Sequence, residues 1–246
     1  MRATQPVDRT EGAGMLPRSM GEPQTQTAAF FRAEGVLFKQ NAVNAAAWMA
    51  AQRAGFRERA FRFGQAALAA PLFSVLGQND RSFGNRVVHL AYRNMSSDRI
   101  AILGEEYADD LLKDKLLARG LELIKKASKE GRRVVIISEG ISEVMEPLSK
   151  HIRGVDHLVC NHLEYRDNKA SGKLVEPVIG GHEGGRWLKD YAAEHNIDLA
   201  GSIVYAGHGP DLLLLSTVGH PCVVNPDFTL RKAAKEADWP VMDYTA

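Results

Sequence analysis

Three short apolar runs, each stopped abruptly by small and polar residues, constrain this chain more than any other feature. Residues 28–31 run into Arg32, Glu34 and Gly35, residues 134–137 into Ser138-Glu139-Gly140, and residues 202–205 into Gly207-His208-Gly209-Pro210-Asp211. A strand that is apolar along its whole length is buried on both faces, as in the parallel sheet of an α/β protein. The intervening segments have helical character, so the expected fold class is α/β: a Rossmann-like, doubly wound parallel sheet. Sites in such folds form where loops leave the strands' C-terminal ends. The polar residues after the three runs are therefore candidates for one shared pocket.

Residues 42–129 are alanine-rich, carry charges at three- and four-residue intervals and are interrupted near Gly55, Pro71, Gly77 and Gly84. That pattern predicts four or five helices. The last of them, 111–129, is amphipathic and stops at Glu130-Gly131. Further along, the pattern predicts a helix at 141–151, a strand at 157–160, and a hairpin over 162–174 turned by Asp167-Asn168. It also predicts helices at 186–195 and 211–218, and a last strand at 222–224. The expected organisation is a disordered tail (1–27), an α/β core (28–40 and 126–246) and a helical cap (41–125) inserted into it. The tail mixes Pro, Gly, Gln and Thr with both charge signs and lacks a signal-like apolar stretch. Met15 and Met20 stand as alternative starts.

Lys plus Arg total 31 against 30 Asp plus Glu, a net charge of +1, so no overall field recruits nucleic acid or anionic lipid. An apolar run long enough for a transmembrane span is missing. Cys160 and Cys222 lack CxxC spacing and suit reduced, packed thiols in a cytoplasmic protein. The apolar segment 66–76 has the character to lie on a membrane surface, to cover a substrate, or simply to form lid core.

The order Phe30-Phe31-Arg32-Ala33-Glu34-Gly35-Val36-Leu37, a helical insert, residues 134–138 and then Tyr205 through Asp211-Leu212 resembles the haloacid dehalogenase superfamily, in particular its phosphoserine-phosphatase-like branch with a helical cap. Gly219-His220-Pro221-Cys222-Val223-Val224-Asn225-Pro226-Asp227 and Trp239-Pro240-Val241 are similar to the ending of that branch. The resemblance implies a phosphatase site in which a first Asp attacks phosphorus and binds magnesium, and a second Asp works as acid and base. Those two positions read Arg32 and Glu34 here. Arginine stays protonated and repels a divalent cation, so it serves neither as nucleophile nor as metal ligand. Glu34 can carry a proton, but its extra methylene shifts the carboxyl by about an ångström, a misplacement that can cost ~10²-fold in rate.

By the same resemblance Ser138 matches the residue that hydrogen-bonds the transferring phosphoryl group, and Gly185 stands where a lysine would neutralise it, with Lys189 or Arg186 as substitutes by geometry. Gly207 stands where an acidic metal ligand would be, and Asp211 keeps the other. With Arg32 and Gly207 at two ligand positions, too few carboxylates remain for magnesium, so no metal and no other cofactor is expected. Intact catalytic residues are not expected either. Arg32, Glu34, Ser138, Glu139, His208 and Asp211 are expected instead to line an anion-binding pocket, with Arg32 pairing Asp211 in place of the ion. Ser138 reads equally well as a helix N-cap. His182-Glu183 brings zinc to mind, but the HExxH pattern is absent, and Gly180-Gly181 with Gly184-Gly185 suit a flexible helix entry.

The leading functional expectation is a pseudophosphatase that binds a protein partner or an anionic small molecule. The alternative is a divergent phosphomonoesterase acting on phosphoserine, a lipid phosphate or another small phosphate, in which magnesium would be needed. A third expectation is peripheral membrane contact through the cap, since members of the branch that it resembles are often associated with phospholipid acyltransferases.

Overall fold

The structure, a computed structural model, describes residues 25–52, 88–180 and 183–244. The segment 66–76 and the zinc reading at His182 lie outside the described residues. In chain order the main elements are β1 (Ala28–Arg32), α1 (Ala42–Ala51), α2 (Ser97–Tyr107), α3 (Ala118–Lys129), β2 (Arg133–Ile141), α4 (Ser142–Ser149) and β3 (His157–Asn161). They continue with the hairpin β4 (Leu163–Arg166) and β5 (Lys169–Leu174), α5 (Glu183–Glu194), β6 (Ile203–Ala206), the one-turn α6 (Leu212–Leu215), β7 (His220–Val224), α7 (Phe228–Glu236) and β8 (Val241–Met242).

Six strands form one sheet in the order β3-β2-β1-β6-β7-β8, and every neighbouring pair is parallel. From central β1 the chain winds outward through β2 and β3 on one side and through β6, β7 and β8 on the other. The strand order reverses at β1, which is where an open α/β sheet has its crevice. Both faces are covered, as the apolar runs require: Ala29 and Phe31 point into one apolar cluster, Ala28 and Phe30 into the other, and all four are fully buried. Cys160 and Cys222 are buried and unbridged, and burial pushes their thiols up to about 12 and about 11.

Several elements differ from the expectations. Pairing is present before residue 28, because Gln26 bridges to Ile197 beside the sheet. The predicted helix 111–129 is broken: short turns precede Leu117, whose N–H donates to the Leu37 carbonyl at 2.7 Å, and only then does α3 begin. The break lets α3 lie against the turn after β1, with Gly120 so close that a Cβ would stand 2.5 Å from the Val36 carbonyl oxygen. Strand β2 does not stop at Ile137 but continues through Ser138-Glu139-Gly140, with its register against β3 shifted between Ile137 and Ile141. Such a bulge re-aims side chains, here toward the crevice. Residues 222–224 are not the last strand: the two-residue β8 pairs with β7 and is too short to leave a periodic pattern. The hairpin turn at Asp167 and Asn168 has φ of 47° and 60°, the doubly positive geometry of a type I′ turn.

Helices α2 and α4 touch backbone to backbone. A Cβ at Gly104 would lie 2.2 Å from the Glu143 carbonyl oxygen. Gly104→Ala would gain about 1 kcal/mol in helix propensity, but the helices must separate to admit the methyl group. The expected net result is a destabilisation of about 1–3 kcal/mol, read as a lowered urea midpoint with an unchanged m-value.

Candidate functional site

Arg32 ends β1 in extended conformation, and the following turn, Ala33–Leu37, contains Gly35 at φ 87°. A Cβ on Gly35 would stand 2.7 Å from Cε1 of His208, so both backbone angle and space require glycine there. Asn225, after β7, donates from Nδ2 to the Gly35 carbonyl at 3.3 Å and ties the turn to the neighbouring strand end. The ends of β1 and β7 and the loop after β6 thereby meet.

What meets there is a buried charge cluster. The Arg32 Nη2 donates to Oε1 of Glu139 at 2.5 Å, its Nε lies 3.1 Å from Oδ1 of Asp211, and Oε2 of Glu34 is 4.0 Å from Nη2. The Nε approach lacks hydrogen-bond alignment, so Asp211 is held chiefly by charge. Oε1 of Glu34 accepts from the Ser138 hydroxyl at 2.6 Å and from the Glu139 N–H at 3.0 Å, while the Ser138 Oγ accepts from the Gly140 N–H at 3.0 Å. Arg32, Glu34, Glu139 and Asp211 are between 2% and 4% exposed, which makes their mutual compensation decisive.

Burial alone would pull the Arg32 guanidinium down, but the fields of Asp211, Glu139 and Glu34 together hold it above its ordinary value. One fixed positive charge thus faces three carboxyl groups. Burial pushes Glu34 above the usual carboxylate range, against the pull of Arg32. A carboxyl raised by folding contributes stability that is present at low pH and lost as pH rises through its folded value. Glu34→Gln removes this titration, so its stability relative to wild type should improve as pH rises from the ordinary carboxylate range upward. Paired thermal melts across that window check the slope.

The structure brings together Arg32, Glu34, Ser138, Glu139 and Asp211, with His208 at the edge, its Nδ1 4.0 Å from Oδ2 of Asp211. Arg32 and Asp211, the pair suggested by the sequence, are in contact. The N-cap reading of Ser138 is corrected: α4 begins after Ile141 with no side-chain cap, because the Ser138 hydroxyl is spent on Glu34. Gly185 is buried in α5, and a Cβ there would stand 3.0 Å from the Leu213 carbonyl oxygen. Gly207 is tighter still, its hypothetical Cβ 2.3 Å from the Val224 carbonyl oxygen. Among the described residues no group of three or more His, Cys, Asp or Glu is placed to hold a metal ion.

A pocket of about 280 Å³ opens beside this cluster. Arg32 and Asp211 border it, and α5 contributes Arg186, Trp187 and Asp190, so Arg186 rather than Lys189 reaches it. Ile137, Val178 and Leu214 add apolar wall. The sequence pattern did not single out Asn161, although it follows an apolar strand just as the other site residues do. Buried Asn161 donates to the Glu139 carbonyl at 2.8 Å and accepts from the Ile179 N–H at 2.7 Å, fixing the bulge of β2 to the pocket wall. Trp187 and Asp190 were also missed; their only sequence signal is their place on the helix that carries Arg186.

The family model of the haloacid dehalogenase-like hydrolases matches residues 30–216. A probable phosphatase of Mycobacterium tuberculosis is 25% identical over 226 residues, 91% of this chain and 77% of the relative. An inhibition of morphological differentiation protein from Streptomyces azureus is 28% identical over 152 residues, 62% of this chain, and the match spans only 54% of that relative's length. Among solved structures, a probable phosphoserine phosphatase from Vibrio cholerae superposes with a TM-score of 0.65 at 13% identity, over 88% of this chain and 60% of the other. With six parallel strands, a crevice at the central strand's end and this family match, the chain belongs to the haloacid dehalogenase-like hydrolases and shares the fold of the phosphoserine phosphatases.

Proposed function

We propose that this chain is a catalytically silent member of its family, a pseudophosphatase whose pocket serves binding rather than turnover. The observation that carries this reading is Arg32, which stands at the position of the attacking aspartate and lies against Glu139 and Asp211 at 2.5 and 3.1 Å. A guanidinium offers no lone pair to phosphorus. The same placement speaks against magnesium, the metal the family implies. Magnesium needs near-octahedral oxygen ligands at about 2.0–2.1 Å. Here a fixed cation already engages Asp211 and Glu139, and Gly207 has neither a carboxylate nor space for one. The donor set therefore does not fit the ion.

What remains suits an anionic ligand or the acidic group of a protein partner. Arg186 borders the pocket without an ion pair or side-chain hydrogen bond among the described residues. Arg32 borders it too, and among the described residues its Nη1 makes no hydrogen bond. We assign the core to 28–40 and 126–246 and the cap to 41–125, and note that α3 spans that boundary. No described helix is long and apolar enough to cross a membrane.

The test is turnover of p-nitrophenyl phosphate and phosphoserine with and without millimolar magnesium. The expected result is hydrolysis at the uncatalysed rate in both. Magnesium-dependent turnover that disappears in Glu34→Gln and Asp211→Asn would overturn the proposal in favour of a divergent phosphomonoesterase.

A further inference from the structure

We infer that the pocket beside Arg32 receives a small organic acid, a monocarboxylate with an apolar or aromatic body, in preference to a phosphate monoester. The inference rests on the reading of Arg32 as a fixed cation and adds to it the chemistry of the ligand. The charges on the pocket wall decide the headgroup. Arg32 is already countered by Glu139 and Asp211, so it offers the pocket a directed N–H donor rather than a free positive charge. Arg186 brings one positive charge with no side-chain partner among the described residues, and Asp190, one turn further along α5, brings a negative one, equally without a partner. A single carboxylate can be shared between the two guanidinium groups that border the pocket, Arg32 and Arg186, through charge-assisted hydrogen bonds. A dianion would meet Asp211 and Asp190 with about twice the repulsion that a monocarboxylate meets, and the two arginines do not offset that excess.

The rest of the wall selects the body. Half-buried Trp187 and the apolar side chains of Ile137 and Leu214 face the same space. At about 280 Å³ the pocket holds a compact molecule of one ring or a short alkyl chain.

Calorimetric titration of the full-length protein with 3-phenylpropionate, indole-3-propionate and octanoate tests this, with phenyl phosphate and inorganic phosphate as competing probes. At least one carboxylate should bind more tightly than either phosphate and perturb Trp187 fluorescence. Arg186→Gln should weaken that binding about tenfold or more, while Arg186→Lys retains part of it. Arg186 is exposed and has no side-chain partner among the described residues, so both variants should melt like wild type. Failure of all three carboxylates to bind, phosphate probes binding equally or better, or an Arg186→Gln isotherm matching wild type would each overturn the assignment. A turnover assay on the same sample separates the two levels: magnesium-dependent hydrolysis refutes the silent pocket, whereas missing carboxylate binding alone refutes only the ligand.

Discussion

Arg32→Ala is expected to lower stability by about 3–5 kcal/mol, the usual cost of stripping one partner from a buried ion pair. For a domain of this size that is a fall of roughly 6–20 °C in Tm. The cause is electrostatic. Without the guanidinium, Glu34, Glu139 and Asp211 remain beside one another with almost no exposure, having lost the cation that lies 2.5–4.0 Å from each of them. Acid should soften the loss, because protonated carboxyls no longer repel, so the deficit measured near pH ~5 should be smaller than near pH ~8. Arg32→Lys should fall between, since it keeps the charge but cannot reach two carboxylates as a fork does. Calorimetric melts of the three proteins at both pH values check the order. A mild effect of Arg32→Ala, equal at both pH values, would mean that the cluster does not depend on this cation.

Gly207→Asp, which on paper restores a metal ligand, should instead damage the fold. The new Cβ would stand 2.3 Å from the Val224 carbonyl oxygen, so β6 and β7 must part at the level of the site. Overpacking of this kind costs about 1–3 kcal/mol and occasionally more, and a further carboxylate would join three already crowded around Arg32. A urea midpoint shifted down, with no stabilisation on adding magnesium, is the expected result. The close approach of the two strands at Gly207 leaves no space for a side chain there.

The fold was readable because its cause is local. Runs such as residues 134–137 can be buried on both faces only inside a parallel sheet, and the polar residues that stop them mark the strand ends where a pocket forms. Arg32, Ser138 and Asp211 were found this way. Less legible was what depends on distant backbone. Glu139, the nearest partner of Arg32, reaches it because β2 bulges, and that bulge is fixed by Asn161, 22 residues away, through a hydrogen bond no local pattern announces. Ser138 reads like a helix cap until Glu34 is seen to take its hydroxyl. The break at Leu117 goes with the bond from its N–H to the distant Leu37 carbonyl, and β8 is defined by its pairing with β7. The space lost at Gly207 is set by Val224 on the adjacent strand, a contact that sequence spacing cannot show.

The central claim is that a fixed guanidinium occupies the place of both nucleophile and metal. Calorimetric titration of the wild-type protein with magnesium, through the millimolar range, tests it most directly. Arg32 engaged at 2.5 and 3.1 Å with Glu139 and Asp211 predicts no saturable binding and no rise in Tm. A one-site isotherm that vanishes in Asp211→Asn would contradict it.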